Sequence, residues 1–75
     1  MNYIEIDFTK VKGYAKLSEQ AKQIFERVYK THNACHGLDY KKEWIPVSVK
    51  EHKTYLEVHF QNGGWLHYLP NGAWY

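Results

Sequence analysis

Sulfur, proline and arginine are all scarce in this chain of 75 residues, which holds one Cys, one Met, two Pro and a single Arg, Arg27. The lone Cys35 excludes a disulfide within the chain and any zinc site built on paired thiolates. One unpaired thiol in so short a sequence predicts a reducing compartment. Long hydrophobic runs are also missing. No segment approaches the roughly 20 apolar residues of a membrane-spanning helix, and no apolar stretch follows Met1 as it would in a secretory leader. The chain is therefore expected to be cytoplasmic, without a membrane role, and its opening Met1 and strand-like ending read as a complete short frame. Charge of one sign is lacking too. Ten Lys and Arg stand against eight Asp and Glu, a formal net charge of +2. That is too little to argue for a nucleic-acid partner by itself and too basic for a nucleic-acid mimic. No catalytic or nucleotide-binding signature is present, and no RNP-type consensus.

Rings are what the sequence does have. Aromatic residues make up 17% of it and hydrophobic residues 44%. A chain this short folds as one domain near the lower size limit, where each large side chain counts. Each ring can bury roughly 150–250 Å², so rings supply much of the core.

Periodicity outlines the elements. In residues 3–9, Ile4, Ile6 and Phe8 alternate with Tyr3, Glu5 and Asp7, the pattern of a half-buried strand. Residues 10–16 have no period, and Gly13 marks them as a loop. Ser18 suits a helix N-cap, with Glu19 at the positive end of the dipole. Ala21, Ile24, Phe25, Val28 and Tyr29 then recur at spacings of three and four, one apolar stripe. With Gly37 as the residue after the helix, the spacing predicts a helix over residues 18–36. Beyond a polar connection, Ile45, Val47 and Val49 share one face and Trp44, Pro46 and Ser48 the other. Pro46 lacks an N–H and predicts an edge strand. Glu51, His52, Lys53 and Thr54 contain no Gly and predict a four-residue turn. Leu56, Val58 and Phe60 alternate with Tyr55, Glu57 and His59 in the next strand.

Register decides the last third of the chain. A two-residue Asn62-Gly63 turn would put Trp65 on the aliphatic face. A three-residue loop would pair Gln61 with Trp65, place Gly64 in the left-handed position of a bulge, and align Leu66 and Tyr68 with the aliphatic positions. The aliphatic pattern favours the three-residue loop. Pro70 and Gly72 repeat the same turn grammar, so that Leu69 opposes Ala73, Tyr68 opposes Trp74 and His67 opposes Tyr75. The expected fold is α+β: one N-terminal strand, one α-helix (about 18–36), then a three- to four-stranded antiparallel meander covered on one face by the helix.

That register gathers Trp44, Pro46, Tyr55, His59, Trp65, His67, Leu69 and Tyr75 on the face away from the helix. Exposed sheet faces normally carry Lys, Glu and Thr. Rings and imidazoles, which join apolar area to a hydrogen-bonding tip, point to a contact surface. The expectation is a small non-enzymatic binding protein that masks or modulates a larger protein. Its partner-binding residues are Trp44, Tyr55, His59, Trp65, His67 and Tyr75, with Lys10, Lys12 and Lys16 as an electrostatic rim. Short frames without catalytic motifs are a type that phages and mobile elements often encode, commonly as inhibitors or accessory proteins. Single-stranded nucleic acid stacked on the same rings inside the Lys rim is the alternative. A homodimer seam, or a self-associating domain, is the third reading.

Other constellations carry less. His32 and His36 stand one helical turn apart, and His59 is expected opposite His67, but neither pair has the further ligands of a structural zinc. No metal and no cofactor are expected. Cys35 and His36 are adjacent on a helix and diverge by about 100°, so Cys35 reads as a buried or half-buried small hydrophobe rather than a nucleophile.

Overall fold

A computed structural model describes residues 3–75, with the side chains of residues 38 and 39 outside the description. Two 3-10 turns, Phe8–Lys10 and Tyr14–Lys16, precede helix α1 (Glu19–Ala34) and a one-turn helix α2 (Leu38–Lys41). Strands β1 (Pro46–Glu51), β2 (Leu56–Phe60) and β3 (Trp65–Tyr68) follow as a three-stranded antiparallel sheet in the order β1-β2-β3. The architecture is the expected α+β, one helix against a meander.

Helix α1 starts where its cap allows. The Ser18 hydroxyl accepts from the Ala21 N–H at 3.1 Å. Glu51, at the end of β1, accepts from both the Ser18 amide and its hydroxyl at 2.9 and 3.0 Å, tying the helix start to the sheet. The stripe of Ala21, Phe25, Val28 and Tyr29 is buried, and Ile24 packs at its margin. Against it lie Val49, Leu56, Val58, Phe60 and Tyr68. Two polar residues continue the same stripe. His32 and Asn33, four residues beyond Val28 and Tyr29, are also buried. The helix ends at Ala34 rather than near His36, and Gly37 does not close it: its φ of −69° is the extended cap of α2. Cys35 is exposed, not the small buried hydrophobe its type suggested.

The N-terminal segment is not a strand. Residues 3–7 join no ladder, and Phe8 begins a 3-10 turn capped by Asp7. Helix side chains take the place of a neighbouring strand: the Ile4 N–H donates to Asn33 Oδ1 at 2.8 Å, and the Ile4 carbonyl accepts from the Tyr29 hydroxyl at 2.7 Å. The apolar residues of the segment still face inward, with Tyr3, Ile6 and Phe8 packed on the core. The loop that follows covers the outer edge of β1. Lys12 donates to the Val47 carbonyl at 3.1 Å and accepts from the Val49 N–H at 2.8 Å. Gly13 makes this approach feasible. Its φ is 90°, and a Cβ there would lie 2.1 Å from the Val49 carbonyl oxygen.

β1 is the predicted edge strand, but its faces are inverted at the start. Pro46 pairs with Phe60 and Ser48 with His59, so Val47 is an extra residue, a β-bulge. Pro46 has no N–H to continue a regular ladder, and the bulge places it inward while Val47 is 48% exposed. Trp44 follows Pro46 to the helix side. Four residues, 52–55, then join β1 to β2, with the His52 N–H on the Tyr55 carbonyl at 2.9 Å.

The β2–β3 loop has the predicted length but begins one residue early. Val58 pairs with Leu66 and His59 with Trp65, a shift of two from the expected ladder. Gly63, not Gly64, takes the left-handed position at φ 86°. The Gly63 N–H closes on the Phe60 carbonyl at 3.0 Å, and Asn62 Oδ1 accepts from the Gly64 N–H at 2.8 Å. A shift of two preserves the faces: Leu66 and Tyr68 point at the helix and Trp65 does not. At Leu69–Ala73 the second turn forms as predicted, with Gly72 at φ 94°, Tyr68 bridged to Trp74 and His67 exchanging two hydrogen bonds with Tyr75.

Candidate functional site

The sheet face away from α1 is built by period two. Along β2, Leu56, Val58 and Phe60 go under the helix, which sends Glu57 and His59 the other way. Along β3, Trp65 and His67 share that outer face. The observed ladder sets the cross-strand rows. One row is Ser48, His59 and Trp65; the next is Lys50, Glu57, His67 and Tyr75. His59 therefore faces Trp65, not His67 as expected.

The rings on this face pack on one another. His67 stacks on Tyr75 with centroids 4.5 Å apart and planes 13° apart, and Tyr55 lies 4.5 Å from His67 with planes 58° apart. Tyr55 in turn stacks on His52 at 4.5 Å. His59 lies over Trp65 at 6.0 Å, and Trp65 meets His67 at 5.0 Å. A continuous band of imidazole, phenol and indole results. Trp65 and Tyr75 are its most open members, 51% and 64% exposed.

Glu57 sits at the centre of the band. His59 Nε2 lies 2.6 Å from one carboxylate oxygen and His52 Nε2 lies 3.0 Å from the other. These hydrogen bonds, His59 first, hold the Glu57 carboxyl below its ordinary range, so it stays ionised through neutral pH. Each ring of the band thus rests against a neighbouring ring, and Trp65 and Tyr75 keep about half or more of their surface open.

Of the residues read from sequence as a contact face, Tyr55, His59, Trp65, His67 and Tyr75 stand together on the open face. Trp44 does not. It stacks on His36 at 5.3 Å with planes 6° apart and meets His32 and Phe60 edge-on at 5.4 and 5.1 Å. The bulge at Val47 is the reason. The Lys rim also divides. Lys12 and Lys16 border the open face beside Ser48, Lys50 and His59. Lys10 lines a separate shallow groove with Ile6, Val11 and Pro46. Sequence reasoning missed His52, Glu57 and Lys50 as members of this face, although the period that placed His59 outward places Glu57 there too.

His32 and His36 belong to the opposite side. His32 is buried, with Nδ1 2.8 Å from the Tyr68 hydroxyl and Nε2 3.0 Å from His36 Nε2. Phe60, Trp44 and Trp74 surround its ring. Desolvation, and then the neighbouring His36, lower its pKa to about 4. This imidazole is a core residue. Among the described residues, no three His, Cys, Asp or Glu converge as a metal site would require, and no helix is long and apolar enough to cross a membrane. No family model, curated protein or solved structure matches the chain.

Proposed function

We propose that this protein acts by binding, not by catalysis, and masks or modulates a larger protein through the band formed by Tyr55, His59, Trp65, His67 and Tyr75. One observation carries the reading: Trp65 and Tyr75 lie exposed, at 51% and 64%, on the sheet face away from the core. Trp and Tyr anchors in such a patch contribute most of the affinity at protein interfaces. The phage or mobile-element accessory role that its size suggests fits this mode of action.

Protein contact is favoured over single-stranded nucleic acid by ring orientation. Bases bind aromatic platforms through free ring faces. Here His67 and Tyr75 stack on each other and Tyr55 stacks on His52, so that one face of each of these rings is taken by a neighbour. Strand-edge association is disfavoured as well, since the Lys12 loop covers the outer edge of β1 and the 73–75 segment covers β3.

Affinity capture from the source cell tests the reading. Wild type, Trp65→Ala/Tyr75→Ala and a control variant on the exposed side of α1, Lys30→Ala/Thr31→Ala, would be compared, and the captured protein purified for calorimetry. The expected result is a partner held by wild type and control and lost with the ring variant. A partner held equally by all three removes this face as the contact. Binding of an oligonucleotide that the ring variant abolishes would transfer the face to nucleic acid.

A further inference from the structure

The β1 border of the ring band carries charges that the fold leaves unused. Lys12, Lys16 and Lys50 line, with Ser48, Glu57 and His59, a shallow depression of about 490 Å³. Lys50 stands across from Glu57 in the ladder, yet both Glu57 oxygens are taken by His59 and His52. The one carboxylate of β1, Glu51, is turned onto Ser18. Among the described residues, none of the three lysines forms an ion pair. The backbone of Lys12 is fixed on β1 by two hydrogen bonds, and the 3-10 turn Tyr14–Lys16 holds the next cation close by. Like charges are thus kept together, free of internal counterions, next to exposed indole and phenol.

Resting on the protein-binding reading above, we infer that the partner presents an acidic, aromatic-containing segment. Its carboxylates lie over Lys12, Lys16 and Lys50, and its apolar side chains lie against Trp65 and Tyr75. Charge complementarity is the argument: among the described residues lining the depression, three lysines stand against one carboxylate, Glu57, which is already hydrogen-bonded, so the charge offered outward is positive. Such complementarity speeds encounter and fixes which end of the segment meets which end of the face. Phosphates would find the same lysines, but the rings stacked on one another leave bases fewer free faces.

The test uses isotope-labelled full-length protein titrated with a random copolymer of Glu and Tyr, with oligo(dT) in parallel, at about 50 mM and about 300 mM salt. The copolymer is expected to shift the amide signals of Lys12, Lys50 and His59 and the Trp65 indole signal, and to bind more weakly at the higher salt. The triple variant Lys12→Ser/Lys16→Ser/Lys50→Ser, checked for an unchanged fold by its other amide signals, should lose about tenfold or more in affinity and most of the salt dependence. Trp65→Ala/Tyr75→Ala should lose affinity but keep the salt dependence. Copolymer binding that the lysine variant leaves unchanged, or no binding at low salt, overturns the inference. A captured partner that needs Trp65 and Tyr75 but tolerates the lysine variant overturns the acidic segment alone and leaves the binding face standing. Preferential uptake of oligo(dT) overturns both.

Discussion

Acid should destabilise this protein mainly through His32. The imidazole is buried with a native pKa of about 4 against an ordinary 6.5. In the unfolded chain it titrates near the ordinary value, so between those limits the unfolded state binds the proton and the native state does not. Its contribution is complete above pH 6.5 and is lost as the pH falls toward 4. Linkage puts the loss at roughly 2 kcal/mol by pH 5 and roughly 3 kcal/mol by pH 4. A domain of this size holds on the order of 4–11 kcal/mol in total, so the loss is a large share. Urea unfolding followed by Trp fluorescence from pH 7.5 to pH 4 would measure it in wild type and His32→Phe. The variant keeps a ring among Trp44, Phe60 and Trp74 but strands the Tyr68 hydroxyl, at a cost of about 1–3 kcal/mol at neutral pH. Glu57 and Asp7, whose carboxyls are held below their ordinary range, are common to both proteins and cancel in the difference. Wild type should therefore be the more stable at pH 7, and the gap should close toward pH 4. Two stability curves that run parallel across the range would refute the buried neutral imidazole.

Three further outcomes follow from particular contacts. Gly13→Ala should cost about 2–4 kcal/mol, because a Cβ meets the Val49 carbonyl and the backbone is left-handed, whereas Gly72→Ala, equally left-handed but in open space, should cost only about 1–2 kcal/mol. Chemical denaturation of both checks the contrast, and equal losses would remove the close approach as its cause. Asn33→Ala should cost about 1–3 kcal/mol and speed exchange of the Ile4 amide, since that residue bonds Ile4 and the Lys41 carbonyl from within the core; unchanged Ile4 protection would contradict it. Ser18→Ala should cost about 1 kcal/mol by uncapping α1 and removing one of the two hydrogen bonds that tie Glu51 to the helix start, read as a lower urea midpoint at unchanged slope.

Local period and turn chemistry made several elements legible in the residues alone. Spacings of three and four placed Ala21, Phe25, Val28 and Tyr29 on one helix face, and Ser18 announced the start. Strict alternation from Leu56 to Phe60 fixed which side of β2 is wet. Pro70 and Gly72 fixed the last turn to the residue. Parity also fixed the outward direction of Trp65 and His67, because a ladder displaced by two residues keeps every side chain on its face and changes only its neighbours. The neighbours were a tertiary matter. Whether His59 meets Trp65 or His67 depends on which Asn62–Gly64 position turns left-handed, and each Gly there can do so. The bulge at Val47 was equally hidden, since an extra residue leaves no mark in composition yet reverses alternation and draws Trp44 beneath the helix. The apolar alternation of Ile4, Ile6 and Phe8 was real, but burial alone does not name the hydrogen-bond partner. Asn33 and Tyr29, distant in the chain, supplied it, and so that segment lies against the helix instead of entering the sheet.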